Sequence, residues 1–390
     1  MMGSIEYCIS IAVTGLLSLA ADYYTARRLV RPRWGKGAMA AFMYAHIAIL
    51  AILCTLGTLA AHGGLQAHIP ILMWVMYAYF LMYLPKFCYA AISWIDFLRR
   101  PAGRAGSYIG VVVSCIMIIL LVGACINRTR IEVKEVTVES DNLPPSFDGY
   151  RIVQFSDAHL ETLFSSRFAQ RIVETINRQN ADLVCFTGDL VNRMAVEVIP
   201  YKDILSHITA RDGVYSIMGN HDYGDYVKWS KPQEQATNID LLHTLESELG
   251  WILLDNSSTC LVRGNDTIAL IGVENWGEPP FPQHGRLKEA YPDLNDNRYK
   301  ILLSHNPRHW RAEVLPESNI DLTLSGHTHA MQFEAFGHSL ASLRYPEWSG
   351  LYRDGKQYLY VNIGVGCIML PARFLDATPE ITVITLRRKP

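Results

Sequence analysis

Four long apolar runs crowd the first 126 of the 390 residues: about Ile5–Ala21, Gly37–Ala61, Ile69–Pro85 and Tyr108–Ile126. Each approaches or exceeds the roughly 20 residues that a helix needs to cross a ~30 Å hydrocarbon layer. Four in succession argue against buried core helices. The first does not read as a signal peptide, because Glu6 at its start is the only charge before Asp22 and a basic leader segment is missing. The pattern predicts a multi-pass membrane region over 1–126. The third run is blurred at Pro85 and Lys86, where Phe87–Trp94 reads as an interfacial helix. No run carries a charge at mid-helix, which argues against an ion path.

The charges between the runs set an orientation. Arg27, Arg28, Arg31, Arg33 and Lys36 lie between the first two, and Arg99, Arg100 and Arg104 between the last two, whereas Ala61–His68 has no Lys or Arg. Positive loops stay in the cytoplasm. The expectation is therefore both chain ends outside and an extracytoplasmic C-terminal domain, although Arg128, Arg130 and Lys134 follow the last run.

Up to Ile126 there are nine Lys/Arg against three Asp/Glu, and beyond it 26 against 34. The remainder is thus mildly acidic and ordinary in composition, which excludes disorder and a basic nucleic-acid-binding face. Five of the eight cysteines fall in the apolar third. Cys185, Cys260 and Cys367 show no paired spacing, so neither a disulfide framework nor a zinc ribbon is indicated.

Residues 127–147 read as a polar tether ending in Leu143-Pro144-Pro145, before a domain over 148–390. Apolar or β-branched runs at Tyr150–Phe155, Leu183–Phe186, Val214–Met218, Ile301–Leu303 and Leu322–Leu324 predict buried strands. Arg167–Asn177, Leu241–Leu249 and His309–Leu315 predict helices between them. This alternation indicates an α/β domain with largely parallel crossovers.

The residues just after each strand carry the chemistry. Ser156-Asp157-Ala158-His159 comes after the first and Thr187-Gly188-Asp189 after the second. Gly219-Asn220-His221-Asp222 comes after the third, Ser304-His305-Asn306 after a later one, and Ser325-Gly326-His327-Thr328-His329 after the last. Ligands of open α/β sheets bind beyond the carboxyl ends of strands. One such motif is usually a turn or a helix cap; five in order are not. Carboxylates, imidazoles and an amide oxygen form a mixed set suited to Mn²⁺, Fe²⁺ or Zn²⁺. Seven ligands suit two ions that share a bridging carboxylate and act on a phosphoryl group, with a non-ligand His protonating the leaving oxygen.

On these blocks the chain resembles the calcineurin-like metallophosphoesterase superfamily over about residues 150–390. The resemblance implies a two-sheet sandwich flanked by helices with a dinuclear centre at its edge. It implies Asp157, His159 and His329 on one metal, Asn220, His305 and His327 on the other, and Asp189 bridging. His221 would be the general acid and Asp222 its orienter. Gly364, Gly366 and Leu370-Pro371-Ala372-Arg373 resemble the membrane-attached or exported bacterial members.

Arg193, Arg344 and Arg373 are the expected substrate contacts, and Tyr226, Lys228, Trp229, Trp276, Phe281, Tyr345 and Trp348 could line the cleft. His284, His309 and His338 fit no motif and read as structural. The function expected is a membrane-anchored, two-metal phosphohydrolase of phosphomonoesters, phosphodiesters or pyrophosphates. Mn²⁺ is the favoured metal. A phosphorylated small molecule or a lipid-linked phosphate at the bilayer is the expected substrate, and nucleic acid is not a specific partner. The alternatives are a cytosol-facing UDP-2,3-diacylglucosamine-type pyrophosphatase and a catalytically silent sensor of a phosphorylated ligand.

Overall fold

The computed structural model describes residues 4–62, 69–98, 104–279 and 282–389. The chain divides into an N-terminal helical unit and a unit that begins at Ile126.

In the helical unit α1 spans Ser4–Thr25 and runs through a π-helical turn, Ala26–Val30, into α2, Arg31–His62. Gly35 breaks α2 with a φ of 82°, a left-handed value that glycine adopts without a Cβ clash. Then come α3, Ile69–Ser93, the short α4, Ile95–Leu98, and α5, Ala105–Asn127. Three stretches are long and apolar enough to cross a membrane: Ser10–Leu59, Ile69–Ser93 and Ala105–Asn127. The first two of the four expected spans are thus one 50-residue helical stretch, interrupted at Gly35. The expected interfacial helix after Pro85 is instead a continuation of α3, and the Pro85 carbonyl accepts from Ser114 Oγ at 2.7 Å. Residues 63–68, Arg99 and Arg100, on which part of the expected orientation rests, lie outside the described residues.

The helices carry internal charge after all. Asp22 is fully buried, pairs with Lys86 and accepts from Tyr83 Oη at 3.0 Å. Lys86 lies over the Tyr83 ring at 4.4 Å. Either charge alone would be costly away from water, and together they compensate one another. Asp22 sits at the end of one apolar run and Lys86 at the blurred end of another, which hid the pair in a linear reading.

The second unit is built on two six-stranded mixed sheets. The strands of the first are β1 (Glu132–Ser140), β2 (Arg151–Phe155), β3 (Leu183–Phe186), β4 (Val214–Ser216), β5 (Ile252–Leu253) and β14 (Glu380–Arg388), ordered β1-β14-β2-β3-β4-β5. The second contains β6 (Ser257–Arg263), β7 (Asp266–Gly272), β8 (Lys300–Leu303), β9 (Leu322–Ser325), β11 (Gly350–Asp354) and β12 (Gln357–Val361), ordered β11-β12-β9-β8-β7-β6. A ribbon pairs β10 (Phe333–Glu334) with β13 (Phe374–Leu375).

Every residue of β3 is buried, so its two faces serve two cores. Leu183 and Cys185 meet Leu270, Ile301 and Leu322 of the other sheet, while Val184 and Phe186 face the helix Ser166–Arg178 through Phe168 and Ile172. A third cluster packs Ile271 and Leu302 against Trp310 and Val314 on the far side. The layers run helix, sheet, sheet, helix. Each fully buried Leu or Phe contributes ~1.5–3 kcal/mol, which fixes both sheets and the loops at their shared edge. Ser165 caps the Ser166–Arg178 helix by accepting from the Phe168 amide at 3.2 Å.

The stretch expected as a tether, 127–147, holds β1, an outer strand paired in parallel with β14 from Glu132↔Glu380 to Ser140↔Arg388. Its charged alternation looks like linker, and its partner lies at the other end of the sequence.

Candidate metal centre

The polar motifs converge because their strands end at one edge. The segments after β2, β3 and β4 come from one sheet and those after β8 and β9 from the other. Backbone hydrogen bonds tie them together: the amide of Asp157 donates to Gly188 O at 2.9 Å, and that of Gly326 to His305 O at 3.0 Å. The turns are tight. Asp157, His159, Asp189, His327 and His329 all have left-handed φ, between 46° and 75°. Asp and His tolerate this region better than bulkier residues, and such strain collects at functional sites at ~1–3 kcal/mol per residue. At Gly326 a Cβ would lie 2.5 Å from Asp157 Oδ2 and closer still to Ser156 Oγ, so only glycine lets this loop lie against the carboxylate.

Three groups of donors result, each with its ligand atoms within 4.8 Å of one another: Asp157, His159 and His329; Asp189, His305 and His327; and His159, Asp189 and His221. Asp189 links the first pair of histidines to the second. Its Oδ2 lies 3.2 Å from His305 Nε2 and 3.7 Å from His159 Nε2. His329 Nε2 lies 3.1 Å from Asp157 Oδ1 and 3.0 Å from His159 Nε2. His327 Nδ1 is 3.2 Å from His305 Nε2. Outer partners fix the rings, as is usual around metal-binding histidines: His305 Nδ1 bonds to Thr187 O at 2.7 Å and His327 Nε2 to Tyr345 Oη at 2.9 Å.

The electrostatics prepare these groups as ligands. Burial pushes the Asp157 carboxyl up, but His329 beside it outweighs this and holds it below the ordinary range. Asp189 behaves likewise, with His305 and His221 overcoming its burial. Burial and the neighbouring His221 and His329 hold His159 well below the usual imidazole value, and burial with His305 pushes His327 down to about 3. His305 goes the other way, to about 9, because the Asp189 carboxylate overcomes its burial. Metal ligation requires ionised carboxylates and neutral imidazoles, so a bound cation would take the place of the proton that the Asp189 carboxylate favours on His305.

Asn220 is the amide expected in the set. Its Nδ2 donates to Tyr226 Oη at 2.9 Å, while its Oδ1 is buried with no partner among the described residues. A buried acceptor left unpaired in a cluster of ligand groups is a position a cation would fill. Donor types, their convergence and this orphaned oxygen all fit a pair of divalent ions sharing Asp189.

His221 lies at the rim. Its Nδ1 bonds to Asn192 O at 2.7 Å, its ring stacks on Tyr226 at 4.2 Å, and its amide donates to Asp189 Oδ1 at 2.8 Å. Asp222 does not orient it, contrary to expectation. The Asp222 carboxylate is buried and accepts from the amides of Asp189 and Gly219 at 2.8 Å each and of Val191 at 3.1 Å. Burial and the Asp189 carboxylate push it up to about 7. Asp222 shapes the loops; the orienter of His221 is the Asn192 carbonyl, and a backbone oxygen leaves no trace in residue type.

Two of the three arginines expected on substrate are engaged elsewhere. Arg193 is buried against Glu161, at 2.6 Å from Oε1 and 3.1 Å from Oε2. Arg373 is fully buried, donates to Gly366 O and Ile363 O, and places Nη2 3.2 Å from His329 Nδ1. It positions a metal-ligand candidate and does not face the cleft. Arg344 stays exposed beside Tyr345, with Glu278 at 3.4 Å. Tyr226 and Tyr345 both reach the cluster. His309 is structural, held between Ser304 and Glu313, and Phe281 lies outside the described residues.

Residues 150–331 match the model of the calcineurin-like phosphoesterase family. The chain is 33% identical over 268 residues to the metallophosphoesterase YkuE of Bacillus subtilis, which spans 66% of this chain and 86% of that protein. It is 32% identical over 266 residues to a transmembrane protein with metallophosphoesterase domain from Danio rerio, covering 66% of this chain and 57% of that one. UDP-2,3-diacylglucosamine pyrophosphatase LpxG of Chlamydia trachomatis is 28% identical over 291 residues, 62% of this chain and 86% of its own length.

Proposed function

The chain belongs to the calcineurin-like phosphoesterases and is a metal-dependent phosphoesterase; from that premise we propose that it is a membrane-anchored, two-metal hydrolase of a lipid-linked phosphoester or pyrophosphate. Asp157, His159 and His329 would hold one ion, Asn220, His305 and His327 the other, and Asp189 would serve both, with Mn²⁺ the favoured metal. The ions, when bound, supply an activated water and a clamp on the phosphoryl oxygens. His221 supplies the proton. With Nδ1 tied to Asn192 O, its Nε2 is left to protonate the departing oxygen. Asp222, Thr187, Tyr345 and Arg373 hold the other groups in place.

The observation that supports the lipid is an apolar rim beside the histidines. Within fifteen residues of His329, Met331, Phe336, Leu340 and Leu343 are exposed, Phe336 at 93% and Leu343 at 86%. Ser339 Oγ binds their segment back to Ala330 O at 2.6 Å. Leu375 adds to the rim from β13. A soluble protein rarely leaves such residues together in water; at a bilayer surface they would admit acyl chains.

The test uses the full-length protein with Mn²⁺, a chromogenic phosphodiester in solution and a lipid pyrophosphate in mixed micelles. Asp189→Asn and His221→Ala should abolish both activities; survival of either in both variants sinks the hydrolase. Phe336→Ser/Leu343→Ser should raise KM for the micellar substrate alone; equal effects on both substrates would sink the lipid reading. The likeness to LpxG favours a second reading, a cytosol-facing UDP-2,3-diacylglucosamine pyrophosphatase. A C-terminal reporter active only in the cytoplasm would support that reading over an extracytoplasmic site.

A further inference from the structure

The helical unit holds a cavity whose chemistry the hydrolase leaves unused. It measures about 350 Å³ and is lined by Arg27, Arg28 and Arg33 from the segment after α1 and by Arg104, Ser107 and Tyr108 from the start of α5. Four arginines from two distant stretches of sequence line one space.

One carboxylate stands beside them and is already committed. Asp96 accepts from Arg28 Nη2 at 2.8 Å, from the amides of Gly106 and Ser107 at 2.7 and 3.0 Å, and from Ser107 Oγ at 2.6 Å. A Cβ at Gly106 would come within 2.8 Å of Asp96 Oδ1, so this wall is closely packed. Among the described residues no carboxylate pairs with Arg27, Arg33 or Arg104; Arg33 Nη1 donates to Leu29 O at 2.9 Å. Like charges gathered at short range repel unless an anion joins them.

The backbone there is irregular in a way that serves a ligand. The π-helical turn Ala26–Val30 carries Arg27 and Arg28, and such turns recur at functional sites. Arg27 and Arg28 follow the end of the 22-residue α1, and Arg104 directly precedes the 23-residue α5; both helices are long enough to cross a bilayer, and such helix ends lie at the depth of lipid phosphates. Guanidinium forks match phosphate oxygens two at a time, and basic pockets between membrane helices bind anionic headgroups. We infer that this cavity binds the phosphate of an anionic phospholipid.

The full-length protein is reconstituted in nanodiscs of phosphatidylcholine, with and without phosphatidylglycerol, and lipid retained on release is counted by native mass spectrometry. The parent should retain phosphatidylglycerol and melt at a higher temperature with it. Arg27→Gln/Arg33→Gln/Arg104→Gln should weaken retention on the order of a hundredfold, about fivefold per cation. Arg31→Gln/Lys36→Gln, from the same stretch but outside the cavity, should retain it. Hydrolysis of the soluble diester reports that each variant is folded. Equal melting of the parent in both lipid mixtures, or equal retention by the triple variant and the parent, overturns the assignment. Soluble glycerol 3-phosphate distinguishes the sources of phosphate: displacement of the lipid by it would assign the cavity to a free ester and overturn the lipid proposal.

Discussion

Replacing Asp222 by Asn separates a loop-shaping carboxylate from one that orients the acid. Both oxygens are in use: Oδ2 accepts from the Asp189 and Gly219 amides and Oδ1 from the Val191 amide. An Asn side chain can keep the first two contacts, but then turns its NH₂ toward the Val191 amide. A buried donor left without an acceptor costs ~1–3 kcal/mol. The loosened segment carries Asp189, whose carboxylate both histidine groups approach. Losing an outer partner of a metal ligand typically lowers metal affinity ~10–100-fold, or about 1.4–2.7 kcal/mol, which matches the hydrogen-bond cost. The assay is Mn²⁺ titration of the full-length protein against hydrolysis of a chromogenic diester. Half-saturation should move up ~10–100-fold, and kcat at saturating metal should recover nearly to the parent value. An unchanged half-saturation with a collapsed kcat would place Asp222 on His221 and refute this reasoning.

Three further outcomes are expected. Gly326→Ala should disrupt Asp157 and Ser156, costing ~1–3 kcal/mol of stability by overpacking together with metal binding; a melting curve and metal stoichiometry equal to the parent's would contradict it. Tyr345→Phe removes the hydroxyl 2.9 Å from His327 Nε2 and should weaken metal binding up to ~10-fold with little change in melting, which calorimetric metal titration measures. Glu246 is pushed up from 4.5 to about 8, first by burial, with Ser216 its side-chain donor among the described residues. The folded state therefore binds the proton more tightly than the unfolded one. Its stabilising effect is complete below the unfolded value of 4.5 and is lost as pH rises towards 8, at about 1.4 kcal/mol per pH unit. Glu246→Gln should flatten that decline in denaturant titrations; an unchanged slope would refute it.

The sequence made some of this legible and hid the rest for physical reasons. β3 coincides with the expected Leu183–Phe186, because a strand buried on both faces must be apolar throughout. The metal-ligand candidates could be found because five such motifs follow apolar strand ends in order, although any one of them alone reads as a turn or a cap. Their left-handed backbone could not be read, as these residue types are tolerated there without being required. His221 shows another limit: it is oriented by a carbonyl, which every residue has. Arg373, expected on substrate, lies buried against His329 Nδ1; spacing cannot tell whether a guanidinium points into a cleft or under a ligand. β1 escaped because its pairing with β14 joins residues some 250 positions apart. The Asp22–Lys86 pair stayed hidden because each partner alone looks like the frayed end of an apolar run.

From His329 to Gln332 the backbone stays left-handed for four consecutive residues, with φ between 48° and 55°. Such a winding costs ~1–2 kcal/mol per residue for L-amino acids, and it is clamped by Ser339 on Ala330 O and by Gln332 on Ala372 O. The segment therefore acts as a wound spring with His329 at one end and the first rim residue, Met331, near the other. With cations held as proposed, stripping them would free the histidine end, letting the coil unwind and become the earliest point of protease cutting. Catalytic readiness and the shape of the greasy lip would then rise and fall as one.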